Sequence, residues 1–363
     1  MKTARLLLSA AIITASLTAS PAQEKSHDSH LTIDYLRGPV YDHRKLAGVL
    51  DLGMTQGIGL EYLRKVDGGE PWHHHYRSPK LGFAAYYEDF KYPEVLGKAF
   101  SAALVSDFHI VDRRFFDFDL NIQAGCAYLT KKFDAKSNNL NLFIGSRLSA
   151  FFRFGFEIVA MPESRVSWVL GANFVHYSNG AVKMPNLGLN LCQWNVGARL
   201  RLNEQPATMK GLDTGEPQTD FPLKYQAIVS FGIRERGTPE GDKYMVTVLS
   251  GNSLKKLTRK FVAGAGIDIF RDGSDNSGDD DEEDGGVFSG GVHVSGGLEF
   301  GRAYAALEIG GYMFGKSHDF MSMYDRVSVN YEVNKRLVAH VGLKTFLMKA
   351  QFIEWGVGYQ MCK

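Results

Sequence analysis

Apolar and polar residues alternate with a period of two along most of the chain beyond about residue 48, and this pattern constrains the fold more than any other feature. The segment 118–129 illustrates it, because every second residue is apolar and most of the residues between are polar or glycine. Its apolar series is Phe118, Leu120, Ile122, Ala124, Cys126 and Tyr128. Successive side chains of a β-strand point to opposite faces, so the pattern predicts strands with one apolar and one polar face.

The polar faces favour a membrane barrel over a soluble sandwich. They repeatedly carry Asp, Gln, Arg, Glu and Gly, as a polar lumen would, and the segments have the length of about 10 to 15 residues that a tilted strand needs to cross a bilayer. The sequence therefore predicts an all-β fold, a transmembrane antiparallel outer-membrane β-barrel of about 12–14 strands. A soluble periplasmic β-sandwich is a weaker alternative.

The N-terminus has the pattern of a secretory signal peptide. Lys2 and Arg5 precede an apolar run over 6–17, and small residues at 20–22 offer a cleavage site. Residues 23–46 are polar, and we expect a flexible N-terminal segment there. We expect residues 1–22 to be the signal peptide and 47–363 to form the outer-membrane β-barrel.

Composition excludes some partners. The 363 residues carry a formal net charge of +1, and no basic patch interleaved with aromatic residues supports nucleic-acid binding. The acidic run over 272–284 lacks a regular ligand spacing, and the adjacent histidines at 73–75 are expected in an extended loop, where neighbouring histidines rarely converge on one metal. We therefore predict no metal and no cofactor. The three cysteines, at 126, 192 and 362, predict no disulfide.

The most informative polar residues lie at the end of one apolar strand. In the strand predicted over 167–178, His176 and Ser178 share a face with Trp168, Leu170 and Phe174. In the following strand, Asn190 shares a face with the apolar residues Cys192, Trp194 and Val196. On a barrel this apolar face contacts lipid, where polar residues are costly and tend to be functional. A hairpin across 179–189 would place Ser178 roughly opposite Asn190.

This grouping permits nucleophilic chemistry. An imidazole can take the proton of a serine hydroxyl while a third polar group fixes its tautomer. Asn179, Asn186 and the backbone amides of the loop from Gly180 to Gly188 could donate to an oxyanion. Alternatively, His176 and Ser178 merely end a strand at the headgroup level, where polar residues are common.

The stretch His176-Tyr177-Ser178-Asn179, followed by Pro185-Asn186-Leu187-Gly188, resembles the signature of the lipid A 3-O-deacylase family (PagL-type, also called acyloxyacyl hydrolases). The segments 127–130 and 144–146 are also similar to that family, and the similarity covers roughly residues 95–202. The chain is longer than the small eight-stranded members, so it resembles a larger variant.

The resemblance implies an outer-membrane barrel that hydrolyses an ester-linked acyl chain of lipid A without a metal. It implies Ser178 as nucleophile, His176 as base, and Asn186 with the loop backbone as the oxyanion hole. The family's acidic third member aligns with Asn190, which carries no charge. At this position the chain departs from the family, and we expect a Ser-His dyad assisted by Asn190. The implied partners are lipid A or lipopolysaccharide and outer-membrane lipid.

The principal alternative is a non-enzymatic outer-membrane barrel, a pore or transport protein that retains the motif as structure. Several charged residues on the predicted lumen faces would suit a polar channel. They are Arg147, Arg153, Glu157, Arg199, Arg201 and Arg234.

Overall fold

A computed structural model describes residues 28–41, 53–203, 221–235, 239–276, 288–315, 322–346 and 349–362. Its sixteen strands form two closed antiparallel barrels of eight strands each. The N-terminal barrel consists of β1 (Ser29–Pro39), β2 (Met54–Lys65), β3 (Lys80–Asp89), β4 (Lys98–Asp112), β5 (Phe116–Leu129), β6 (Leu148–Ala160), β7 (Val166–Ser178) and β8 (Leu189–Arg201), with α1 (Pro71–His75) between β2 and β3. The C-terminal barrel consists of β9 (Leu223–Glu235), β10 (Lys243–Lys256), β11 (Phe261–Asp272), β12 (Phe288–Phe300), β13 (Ala303–Phe314), β14 (Met323–Glu332), β15 (Leu337–Phe346) and β16 (Lys349–Cys362), with a short 3-10 helix (Gly273–Asn276) after β11.

The prediction of an all-β antiparallel barrel is confirmed, and the strand number is wrong. The described residues form sixteen strands in two barrels, because β1 pairs with β8 and β9 pairs with β16. Alternation looks the same in every strand and does not specify which strand closes the sheet. The boundary falls between Arg201 and Leu223, the ends of β8 and β9. The soluble sandwich is excluded by the same closure.

The flexible segment predicted over 23–46 is also wrong in part. Residues Ser29–Pro39 form β1, which is hydrogen-bonded to β2 on one side and to β8 on the other. Its outward residues Leu31, Ile33 and Tyr35 alternate with inward residues that include Thr32 and Asp34, but the flanking His and Asp residues obscured this pattern. The barrel domain expected over 47–363 therefore begins earlier and is divided in two, while the predicted signal peptide, 1–22, lies outside the described residues.

The outer faces of both barrels are apolar. Phe83 and Leu148 of the N-terminal barrel are 65% and 68% exposed, and Val357 of the C-terminal barrel is 65% exposed. Contiguous apolar surface on this scale suits contact with lipid acyl chains. No helix in the described part of the chain is long and apolar enough to cross a membrane.

The lumen of the N-terminal barrel is filled by charged groups. Arg199 contacts Asp107 at 3.3 Å, Glu157 at 3.0 Å and Asp119 at 3.6 Å, and all four side chains are buried. Eight strands leave an interior just wide enough for side chains. Arg153 also lies inside, whereas Arg147 is exposed beside Tyr128, to whose hydroxyl it donates at 3.2 Å.

The C-terminal barrel has a similar charged interior. The Arg326 guanidinium contacts Asp268 at 3.2 Å, Glu308 at 2.6 Å and Glu354 at 2.7 Å. Lys344, also buried, donates to the hydroxyl of Tyr312 at 2.5 Å. Both lumens are therefore packed with paired side chains.

The connections of the N-terminal barrel differ between its two ends. Residues 90–97, 130–147 and 179–188 connect strands at one end, called here the loop end. The short turns 113–115 and 161–165 lie at the other end, the turn end, together with the longer connection 66–79 that carries α1. β1 begins and β8 finishes at the turn end. Outer-membrane barrels have short periplasmic turns and longer extracellular loops.

The two barrels touch near both ends. Glu235, at the last position of β9, donates its backbone N–H to Ala181 O at 2.9 Å, at the loop end of the N-terminal barrel. Near the turn end, the rings of Tyr76 and Phe300 lie 4.7 Å apart. The C-terminal barrel therefore reaches the connection that follows β7.

Candidate active site

The register of the β7–β8 hairpin places His176 directly opposite Asn190. On the other side, β6 places Phe152 opposite His176 and Ala150 opposite Ser178. The prediction that Ser178 opposes Asn190 is therefore wrong by two residues, because β8 begins at Leu189 and pairs this residue with Tyr177. All three candidate residues continue the outward-facing series of their strands, beyond Phe174 and Cys192.

His176 and Asn190 form a hydrogen bond. The Nδ1 of His176 lies 2.6 Å from Oδ1 of Asn190, and Asn190 is 8% exposed. Because an amide oxygen only accepts, Nδ1 carries a proton, and in the neutral imidazole Nε2 then carries the lone pair. The expected contact of Asn190 with the imidazole is thus present in the structure.

Two N–H groups converge on the Ser178 hydroxyl, which is 8% exposed. The side-chain amide of Asn186 donates to Ser178 Oγ at 2.9 Å, and the backbone N–H of Gly180 donates to it at 3.2 Å. Oδ1 of Asn186 accepts a bond from the Asn179 backbone at 3.1 Å, which fixes the orientation of the amide. Two of the predicted oxyanion residues, Gly180 and Asn186, therefore contact the serine directly.

The side chain of Asn179, by contrast, supports the loop itself. Its Nδ2 donates to Lys183 O at 2.8 Å, and its Oδ1 accepts from Lys183 N at 3.4 Å. These two bonds close a tight loop of five residues after β7. The Asn179 side chain is bonded to Lys183, whereas the donors to Ser178 Oγ are Gly180 and Asn186. The oxyanion role suggested for the Asn179 side chain therefore has no support from a hydrogen bond to the serine.

Glycines permit the loop to approach its neighbours closely. Gly188 has φ of +76°, and a Cβ there would lie 2.6 Å from Cε1 of His176. A Cβ on Gly145 would lie 2.5 Å from Lys183 O and 2.6 Å from Pro185 O. The backbone of 183–188 therefore packs directly on the segment around Gly145 and on the imidazole ring, which only residues without a side chain allow.

The other polar clusters noted in the sequence have local roles where the structure describes them. His73 and His74 belong to α1 and not to an extended loop; His74 Nε2 contacts Gly68 O at 2.8 Å. Burial lowers the pKa of His73, against the opposing effect of Asp67. Most of the acidic run over 272–284 lies outside the described residues.

Two inward clusters carry metal-compatible side chains that the sequence did not reveal, because they come from separate strands. They are Asp107 with His109 and Asp119, and Asp268 with His293 and Glu308. Each cluster already contains a cation, Arg199 in the first and Arg326 in the second, within 3.3 Å of at least one carboxylate. Each arginine therefore already offsets part of the negative charge that would attract a metal ion.

Two family models match this chain. Residues 56–199 match the model described as lipid A 3-O-deacylase (PagL), and residues 223–363 match the model described as acyloxyacyl hydrolase, C-terminal domain. The two matches correspond to the two barrels and together cover most of the chain. The closed barrel and the first match define the class, an acyl hydrolase built on a β-barrel.

The chain belongs to the lipid A 3-O-deacylase (acyloxyacyl hydrolase) family. The resemblance around His176 and Ser178 is thereby confirmed at the level of the family, and the match extends further than residues 95–202. No curated protein matches the chain.

Among the solved structures similar to the chain are a channel, a porin and a transporter. They include a TodX monoaromatic hydrocarbon channel mutant (7% identity, 93% of this chain and 90% of that chain, TM-score 0.19), an Rh. blastica porin mutant (7% identity, 92% and 100%, TM-score 0.17) and the FrpB iron transporter from Neisseria meningitidis (9% identity, 92% and 69%, TM-score 0.22). These TM-scores are too small to support an argument about this chain.

Proposed function

We propose that the chain is an outer-membrane esterase that removes an ester-linked acyl chain from lipid A, with Ser178 as nucleophile and His176 as general base. The observation that carries the proposal is the convergence of two N–H groups on Ser178 Oγ, two residues from an imidazole that Asn190 holds in one tautomer. Because Ser178 Oγ accepts both bonds, its own proton remains available for donation to a base.

Each residue has a defined role in this mechanism. Nε2 of His176 takes the hydroxyl proton as Ser178 Oγ attacks the ester carbonyl, and it later returns a proton to the sugar oxygen as the C–O bond breaks. The N–H groups of Gly180 and Asn186 stabilise the charge that develops on the carbonyl oxygen. Water then hydrolyses the acyl-enzyme, again with His176 as base, and releases the fatty acid.

The position of the site supports a lipid substrate. His176, Ser178 and Asn190 belong to the outward series, next to the exposed apolar residues Phe152 and Phe174. An acyl chain lying along this face would reach the serine without entering the lumen. The loop end of the barrel also corresponds to the exterior side of outer-membrane barrels, where lipid A headgroups would lie. Export by a cleaved signal peptide is part of this proposal.

The pore alternative is less well supported. Its charged lumen residues Arg153, Glu157 and Arg199 are buried, and Arg199 pairs with three carboxylates. A packed interior of this kind leaves no evident route for solutes. We therefore expect no steady conductance when the purified protein is inserted into planar bilayers.

Mass spectrometry of lipid A tests the enzymatic proposal. Cells that express the full chain should lose one ester-linked acyl chain from lipid A, and the Ser178→Ala variant should lower the rate about 10⁴-fold, since the nucleophile is removed. Ser164→Ala, in a turn at the opposite end of the barrel, should retain full activity.

Folding is monitored in the same samples by the heat-sensitive electrophoretic mobility of outer-membrane barrels. Both variants should be folded and located in the outer membrane. Lipid A deacylation by a folded Ser178→Ala variant would refute the proposed nucleophile.

A further inference from the structure

Glu235 of the C-terminal barrel contacts the loop after β7 at two points. Its backbone N–H donates to Ala181 O at 2.9 Å, and its carboxylate Oε2 accepts a hydrogen bond from Met184 N. The side chain is buried, with 3% exposure. A single residue of one barrel thus holds positions three residues apart in a loop of the other.

A second contact lies next to the proposed oxyanion donor. A Cβ on Gly180 would lie 2.3 Å from Cγ1 of Ile353 in β16, so the two residues are in close contact. Gly180 is also the residue whose N–H donates to Ser178 Oγ. Its φ of +62°, followed by φ of +64° at Ala181, orients this N–H toward the serine.

The remainder of the loop is held by the N-terminal barrel. Leu187 N donates to Leu142 O at 3.2 Å, and Gly188 N donates to Phe143 O at 3.1 Å. The loop therefore has two supports: the N-terminal barrel fixes 187–188, and the C-terminal barrel contacts 180, 181 and 184. Between them lies Asn186, the second donor to Ser178.

We propose that Glu235 is a positioning residue for the esterase reaction, and that one role of the C-terminal barrel is to hold the loop 180–184 in the conformation that directs the Gly180 N–H at Ser178. This inference rests on the proposed function. Glu235 does not touch the reacting atoms, and it acts through the backbone of Ala181 and Met184. The hydrolytic site is then shared by the two barrels, although its reacting side chains all come from one.

Substitutions at Glu235 in the full-length protein test this inference. Glu235→Ala removes the acceptor of Met184 N, and Glu235→Asp withdraws the carboxylate by one methylene. Both should lower kcat for fatty-acid release about 10-fold to 100-fold, the scale expected when an oxyanion donor is displaced by about 1 Å. KM should stay within about twofold, because the acyl-binding face is unchanged. Glu235→Gln retains a carbonyl oxygen and should restore kcat to within about threefold of the wild type.

A carboxylate of a different strand, Glu332 at the end of β14, provides the matched control. Glu332 forms an ion pair with Lys224 at the opposite end of β9, and Glu332→Ala should leave kcat unchanged. If Glu235→Ala does not assemble in the outer membrane, the comparison of Glu235→Asp with Glu235→Gln decides. Wild-type kcat in folded Glu235→Asp or Glu235→Ala, or equal losses with Glu235→Gln, would overturn the inference.

The inference and the proposed function fail in different ways. Activity retained by Ser178→Ala would refute the esterase mechanism itself. Inactive Ser178→Ala together with fully active Glu235→Ala would leave the mechanism intact and refute only the role of the second barrel.

Discussion

The two barrels contain the same pair of residues on opposite faces. In the N-terminal barrel, Nδ1 of His176 lies 2.6 Å from Oδ1 of Asn190; in the C-terminal barrel, Nδ1 of His340 lies 2.7 Å from Oδ1 of Asn330. His176 belongs to the outward series of its strand, whereas His340 points into the lumen.

The surroundings of the second ring nitrogen distinguish the two pairs. Nε2 of His340 contacts the buried carboxylate of Glu354 at 3.2 Å. On the outer face, His176 is instead two residues from Ser178, beneath a loop that supplies N–H donors. Inside the C-terminal barrel, where Glu354 holds Nε2, the histidine–asparagine pair is therefore structural. On the outer face we propose that it is catalytic, and the difference lies in strand parity and in the neighbouring loop.

Substituting the two histidines gives the largest expected contrast. His176→Gln should lower the rate of fatty-acid release by about 10³-fold to 10⁴-fold, since the base is lost. His340→Gln should leave the rate within about twofold and should lower the free energy of unfolding by about 1–3 kcal/mol, since buried hydrogen bonds are perturbed. Activity and unfolding of the purified proteins in detergent measure both quantities. Equal effects on activity would show that the two pairs do not differ in the way proposed.

The lumen arginines test whether the barrels unfold separately. Arg326→Met leaves three buried carboxylates without their shared cation, which should destabilise the C-terminal barrel by about 3–5 kcal/mol. Trp355 is the one tryptophan of that barrel, and Trp72, Trp168 and Trp194 lie in the other. Urea unfolding is followed by tryptophan fluorescence in two backgrounds. Trp355→Phe leaves only the tryptophans of the N-terminal barrel, and replacing the other three by Phe leaves only Trp355 of the C-terminal barrel.

Arg199→Met is the matched variant and should shift only the transition of the N-terminal barrel. A single transition that moves equally in both variants would mean that the two barrels unfold as one unit.

The smallest effect is expected from restoring a charge beside the histidine. Asn190→Asp should raise kcat about tenfold, because a carboxylate stabilises the imidazolium formed during attack better than an amide does. Asn330→Asp, the corresponding change in the lumen, should leave kcat unchanged. Steady-state rates with lipid A as substrate measure both, and a loss of activity in Asn190→Asp would show that the site is adapted to the neutral amide.

The local features of this fold were predictable from the sequence, and the long-range ones were not. Strand parity placed His176, Ser178 and Asn190 in one outward series, since alternation depends only on neighbouring residues. The number of barrels depends on the pairing of β1 with β8 and of β9 with β16. The two strands of each pair are separated in sequence by the rest of their barrel, so no local pattern encodes the pairing.

The site was predictable to the same extent. The residues that meet at Ser178 come from one hairpin, and the motif around them is contiguous. Glu235 was missed because it lies in another barrel, about 50 residues beyond the loop that it contacts. The paired residue of Asn190 was misplaced because the hairpin register depends on the loop conformation.

The two closures have a consequence for how such a chain can arise and be rearranged. Among the described strands, every ladder joins two members of the same barrel. A cut between Arg201 and Leu223 would therefore break no hydrogen bond of either sheet, and each half could be inherited, duplicated or exchanged as an intact cylinder. A recombined N-terminal half would keep its own strands and Ser178, and would lose the contacts of the C-terminal barrel with the loop after β7 and with Tyr76.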